Sequence, residues 1–202
     1  MALTQTSKLE AVNTMLSVIG EAPVNSLDAS SKTVDVTMAE DILDEVSREV
    51  QTMGWNFNRE YDVELGANQD NQIVLPTNTA QVDVEPVNSG TKQYVQRGQK
   101  IYNKTDRTFT ITDSKKCTIT YLLDWEDLPQ PARYYISIRA ARRFQERVVG
   151  SEKHAKFNHM DEFQALVSLR EAETDGGDFT IFDNHDVFRV INRGNVINRI
   201  SN

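Results

Sequence analysis

The sequence predicts an α+β chain: a four-helix bundle interrupted by an antiparallel β insertion, with an extended C-terminal arm. Three observations predict it. Apolar residues recur at helical spacing towards both ends of the 202-residue chain. Between them, residues 61–123 break into short apolar or alternating units separated by Asn, Asp, Gly and Pro, which is strand-and-turn patterning. Each helical stretch reads as two helices joined by a few residues, and short connections force antiparallel neighbours. Residues 1–58 and 125–176 therefore make one discontinuous helical bundle, 59–124 a β domain, and 177–202 an arm.

The first helix carries Leu9, Val12, Leu16 and Ile19 at steps of three and four, one apolar stripe. Gly20 suits a left-handed C-cap, and Pro23 prevents the helix from resuming before the extended Val24–Leu27. The second helix has a heptad-like seam of Val36, Ala39, Leu43, Val46, Val50 and Met53. Its opposite face holds Glu40, Asp41, Asp44, Glu45, Arg48 and Glu49. Thr33 or Asp35 can cap its start, and Gly54 ends it. Trp55 and Phe57 alternate with Asn56 and Asn58, which predicts an extended exit with both aromatics on one side.

Seven units then read as strands, at Val63/Leu65, Ile73–Leu75, Val82/Val84, Tyr94–Val95, Ile101/Tyr102, Phe109/Ile111 and Ile119/Tyr121, with a hairpin turning at Arg97–Gly98. They predict a twisted antiparallel sheet or a small barrel. Pro129 and Pro131 open a third helix that runs to Val149 and stops at Gly150, because a missing N–H costs nothing in a first helical turn. Ser151 caps a fourth helix. Phe157, Met160, Phe163, Leu166, Val167 and Leu169 give that helix a broad apolar face, and Gly176–Gly177 ends it.

Composition bounds the function. No apolar run approaches the ~20 residues that span a bilayer, so no membrane partner is expected, and no basic-plus-apolar leader predicts secretion. The net charge of −8 argues against a whole-surface nucleic-acid binder. Cys117 is the single cysteine, so no intrachain disulfide forms; its strand-like surroundings make it a small buried side chain. His154 and His159 are five residues apart on one helix and point to different faces, and His185 lies in a loop; no metal or cofactor is expected. Asp124, Glu126 and Asp127 cluster around Trp125. Such a cluster fits a helix entry, where acids favour the helix dipole. It also motivates a competing reading as a glycan hydrolase, which needs two carboxyls at a fixed separation.

Three stretches carry a family resemblance: Glu10–Leu27, Gln51–Asn58, and Trp125–Pro129 followed by Arg133–Ile136 and Ala140–Gly150. Together and in this order they resemble the tail tubular protein A family, the head-to-tail adaptors of short-tailed phages. The resemblance implies a structural virion protein of the tail, assembled in the host cytoplasm, and no enzyme. It implies a twelve-fold ring of copies joining the portal protein to the nozzle (tail tubular protein B), with tail fibre nearby. Genomic DNA would pass through the channel without sequence-specific binding. Residues 61–123 match the family in layout more than in residues, and the chain after Gly177 matches loosely. A third reading is a generic protein-interaction module.

Two candidate sites follow. Arg139, Arg143 and Arg147 stack at four-residue steps, flanked by Arg133 and Arg142. This ladder suits pairing with the acidic face of the second helix, within or between subunits, or a phosphate-facing channel wall. Arg139, Arg143 and Arg147 with Glu40 and Asp44 are the candidate subunit interface. In the arm, Phe179, Phe182, Phe188 and Ile191 are apolar, and Arg189, Arg193 and Arg199 follow Val187 with no acid among them. These seven are the candidate portal-docking residues.

Overall fold

A computed structural model describes residues 4–28, 32–85, 93–148, 150 and 152–177, with only the backbone for 152–158 and 176–177. Its element order is α1 (Lys8–Ile19), α2 (Val34–Thr52), β1 (Arg59–Leu65), β2 (Thr79–Val84), β3 (Tyr94–Arg97), β4 (Lys100–Asn103), β5 (Lys115–Tyr121), α3 (Gln130–Val148) and α4 (Glu152–Gly177). Short 3-10 turns, Asn56–Asn58 and Trp125–Asp127, stand at the two crossings between helices and strands. The α+β class is as the sequence predicts.

Helix ends follow local chemistry. Ser7 Oγ accepts from Glu10 N at 3.2 Å while Ser7 N donates to Glu10 Oε2 at 2.7 Å, a reciprocal cap that satisfies two orphan amides of α1. Gly20 takes φ +83° and donates to Leu16 O. The chain beyond it is latched by Asn13, whose side chain bonds both Val24 N (2.8 Å) and Val24 O (3.0 Å). Thr33, one of the two residues read as a cap, holds the start of α2 through Val36 N at 3.3 Å.

The helices pack unequally. Helix α3 lies against α1, α2 and α4, whereas the main partners of α4 are α3 and the Asn56–Asn58 turn. One buried cluster joins Met15 and Leu16 of α1, Leu43 and Val46 of α2, and Tyr135 and Phe144 of α3, with Ala165 and Leu169 from α4. Two apolar faces are corrected. Met53, placed on the α2 seam by spacing, lies past the helix end and is exposed; Ile42 and Gln51 complete the buried stripe. Met160 and Phe163 do not face the bundle: they are 76% and 62% exposed, because α4 meets α3 through Glu162, Ala165 and Leu169. The side chain of Phe157 and residues Val149 and Ser151 lie outside the described residues.

The β insertion has its own buried cluster of Ile73, Leu75, Ile101, Ile111, Cys117 and Ile119. It is two small sheets rather than one sheet or barrel: β1-β5-β2, antiparallel throughout, and the β3-β4 hairpin. Two units read as strands are not strands. Ile73–Leu75 meets the hairpin through a single bridge at Val74↔Lys100, and Phe109/Ile111 follows a bridge at Asn103↔Thr108. Ile73, Leu75 and Ile111 are buried, but only single amides pair: Leu75 N donates to Gln99 O of the hairpin turn (2.9 Å), and Ile111 N reaches Asn71 O (2.7 Å). The hairpin turn is Gly98–Gln99, with Gly98 at φ +60°.

The exit from α2 is also corrected. Trp55 is extended, but Asn56–Asn58 is a 3-10 turn closed by Asn58 Oδ1 on Trp55 N at 2.9 Å. Asn58 Nδ2 then donates to Gln51 O (2.9 Å) and Tyr121 O (2.7 Å). Gln51 meets the chain leaving β5, accepting from Leu123 N at 2.7 Å and donating to Leu123 O at 3.1 Å. Two buried amides thus clamp the strand that enters the insertion to the strand that leaves it, since unpaired polar groups there would be costly.

Candidate functional site

The arginine ladder lies along the α2–α3 seam of a single chain. Helices α2 and α3 run antiparallel, so residues four apart on one face residues four apart on the other. Arg139 pairs with Glu49. Arg143 reaches Glu49 at 2.5 Å and Glu45 at 3.4 Å, and Arg147 reaches Glu45 at 3.0 Å. The acids nominated with the ladder are engaged elsewhere: Glu40 pairs with Lys32 at 2.5 Å and Asp44 with Lys8 at 2.8 Å. Glu45 and Glu49 have the same four-residue spacing but lie on the opposite flank of the polar side of α2, roughly 100° or more round the helix from Glu40 and Asp44; helical spacing separates the two pairs, but it does not say which flank meets α3.

The flanking arginines do different work. Arg133 is buried, and its guanidinium donates to Leu128 O (2.8 Å), Thr6 O (3.0 Å) and Glu126 O. It ties the N-terminal segment and the Trp125–Asp127 turn to α3 and takes no part in the ladder. Arg142 bonds Glu162 of α4, and Glu146 at 2.6 Å. Burial opposes the charge of Arg139, but Tyr135 OH at 2.7 Å, with the carboxylates of Glu49 and Glu162, outweighs it and raises the pKa. Charges so placed fix helix against helix and have little left to offer an external phosphate.

The acid cluster has the geometry of a helix entry. Trp125 is buried, with Nε1 donating to Thr6 O at 3.0 Å, while Asp124, Glu126 and Asp127 are exposed. The ring is spent on the bundle and offers no platform to a sugar. A cleft of about 440 Å3 does run past Asp124 and Glu126, between Lys8, Arg48 and Asn78. Its lining includes Gln51 and Leu123 of the clamp and the Lys8–Asp44 ion pair.

Among the described residues no cluster of His, Cys, Asp or Glu could hold a metal, and no helix is long and apolar enough to cross a membrane. Cys117 is buried and free; burial, with the carboxylates of Glu85 and Asp83, pushes its thiol up to about 11. The arm residues Phe179, Phe182, Phe188, Arg189, Ile191, Arg193 and Arg199, like His185, lie outside the described residues.

Comparison with curated proteins gives no match. A family profile for tail tubular proteins matches residues 9–179, a span that takes in all but the first residue of the four described helices and all five described strands. The chain belongs to the tail tubular protein family and is a structural protein of a phage tail.

Proposed function

We propose that this chain is the head-to-tail adaptor of a short-tailed phage, a subunit of a twelve-copy ring between portal protein and nozzle. The observation that carries the reading is the tail tubular family match over residues 9–179. The architecture supports it. Residues 1–58 with 125–176 serve as a rigid helical body, and 59–124 as a lateral β domain held at one joint by Gln51 and Asn58. Such a subunit acts by shape: it joins two rings, leaves a path for DNA, and holds without turnover.

In this reading the ladder of Arg139, Arg143 and Arg147 stiffens each subunit, and its more exposed end at Arg147, together with Asp44, borders the ring contact, while Glu40 stays paired with Lys32 within the subunit. Residues 177–202 are the docking arm, with Phe179, Phe182, Phe188 and Ile191 entering a groove of the portal and Arg189, Arg193 and Arg199 meeting its acids. Ordering an arm costs entropy, so binding requires that its apolar groups be buried. The test is co-sedimentation with purified portal protein. The full chain is expected to bind and to raise the particle mass by a ring of subunits. A chain ending at 178 is expected to keep its thermal stability and lose attachment; equal attachment of both would remove the arm from the docking role.

A further inference from the structure

Two surfaces meet no partner among the described residues, and their chemistries are opposite. The first is the outer face of the β3–β4 hairpin with the turn beyond it. Pairing sets Arg97 opposite Lys100 and Val95 opposite Tyr102. Alternation puts these four on one face, away from the buried Ile101 and Asn103. The Arg97 guanidinium stands 3.7 Å above the Tyr102 ring, and Tyr102 meets Phe109 edge-on at 5.0 Å. The cation is therefore held in place before any partner arrives.

Past β4 the chain closes a tight turn. Asn103 N and Thr108 O bond at 2.9 Å, and Asn103 Oδ1 accepts from Thr105 N and Asp106 N. Inside this turn Arg107 sits at φ +55°, a left-handed conformation that costs a non-glycine residue about 1 kcal/mol or more. Arg97, Lys104 and Arg107 are exposed, and none forms an ion pair with a described residue. Residues 93–111 contain four Lys/Arg and one acid, in a chain whose net charge is −8.

The second surface is the outer face of α4. Met160, Phe163, Val167, Glu171 and Asp175 follow at steps of three and four, opposite the buried Glu162, Ala165 and Leu169. Asp161 flanks them. The face is apolar at one end and acidic at the other, and α3 lies on the far side of the helix. A basic-aromatic surface and an acidic-apolar surface on one chain are the two halves of a heterologous contact, which repeats from copy to copy. Between copies of like net charge, such an opposed pair lowers the repulsion on approach and fixes register.

We propose that the hairpin face of one copy, through Arg97, Lys104 and Arg107, docks on the outer face of α4 in a second copy. The inference rests on the adaptor reading and specifies which surfaces close its ring. The acidic remainder of the chain would repel phosphate, which favours an acidic protein surface over a nucleic acid.

The test uses the full chain and reads self-association by sedimentation at about 0.05 and 0.5 M salt, concentrations that change the screening length several-fold. Association should weaken at high salt. Arg97→Glu/Lys104→Glu/Arg107→Glu, or Asp161→Lys/Glu171→Lys/Asp175→Lys, should each weaken it on the order of a hundredfold, with thermal unfolding unchanged. Phe163→Ala, a change of no charge at an exposed site, should weaken it as well. The decisive arm mixes the two triple variants: each is monomeric alone, and together they should assemble, because every contact again pairs opposite charges. Three results overturn the proposal: a wild-type chain that stays monomeric at both salts, variants that do not complement, or a hairpin variant that loses binding to a labelled DNA duplex while self-association is intact. Portal attachment is measured separately, so an intact self-contact with no attachment counts against the adaptor reading alone.

Discussion

Helices α3 and α4 lie side by side, and each carries a phenylalanine near its middle. Phe144 of α3 is fully buried and Phe163 of α4 is 62% exposed. The difference is one of neighbours. Helix α3 is surrounded by α1, α2 and α4, so most of its circumference is in contact. Among the described residues, helix α4 meets α3 along one stripe and the Asn56–Asn58 turn near its far end, which leaves Phe163 outside those contacts. Residue type does not decide burial; the number of elements that a helix packs against does.

Truncating the two phenylalanines is the strongest way to break this comparison. Phe144→Ala should cost roughly 3–5 kcal/mol, the range for emptying a filled core site. Phe163→Ala should stay within about 0.5 kcal/mol, as at an ordinary surface site. Urea unfolding of the two variants at equal slope gives both values. Similar losses would mean that α4 is buried in the monomer. Arg133→Ala comes next, at about 2–4 kcal/mol, because it strands three carbonyls that one guanidinium now satisfies. Thermal unfolding checks it, and a loss below about 1 kcal/mol would show that water reaches those carbonyls.

These contrasts bear on what was legible in the sequence. The spacing of Val36, Ala39, Leu43, Val46 and Val50 marks the buried face of α2, and all five are buried. Gly20 and Pro23 mark the end of α1. Short-range rules suffice there, because a helix is built from its own neighbours. The apolar face of α4 misleads because the sequence has no record of how many elements pack on it. Ile73–Leu75 and Phe109/Ile111 mislead for a related reason: an apolar run signals burial, and burial occurs in irregular chain as well as in strands. The guanidinium ladder is visible as spacing, yet its partners depend on helix register. The clamp made by Gln51 and Asn58 joins residues 72 and 63 positions apart in the chain, and nothing local announces it.

The ladder sharpens the comparison at a smaller scale. Arg143→Glu with Arg147→Glu places like charges along the α2–α3 seam, but Glu45 and Glu49 are half-exposed. Screening holds the cost to roughly 1–2 kcal/mol for the pair, and about 0.5 M salt should recover part of it. Self-association measured on the same variant separates the seam from the hairpin surface. If the ladder serves the monomer alone, association falls by much less than in the Arg97→Glu/Lys104→Glu/Arg107→Glu chain.

The smallest effect concerns the far end of α4, where Glu173 accepts from the backbone amides of Asn56 and Phe57. Burial raises its carboxyl pKa above the ordinary 4.5, and the two amides, which favour the anion, only partly offset this. The folded state therefore binds the proton more tightly than the unfolded chain does. By linkage, the proton-bound form favours folding: this contribution is fully present below about pH 4.5 and is lost as pH rises through the folded pKa. Glu173→Gln keeps a carbonyl acceptor for the amides and removes the buried charge. At neutral pH the variant should equal or exceed the wild type by a few tenths of a kcal/mol. The difference should shrink as the pH is lowered towards 4.5, where the wild-type carboxyl becomes neutral too. Thermal unfolding of both chains across that range reads it. A variant clearly weaker than wild type at pH 7 would show that the charged bonds outweigh burial, making Glu173 an anchor of α4 as firm as the Arg142–Glu162 pair on α3.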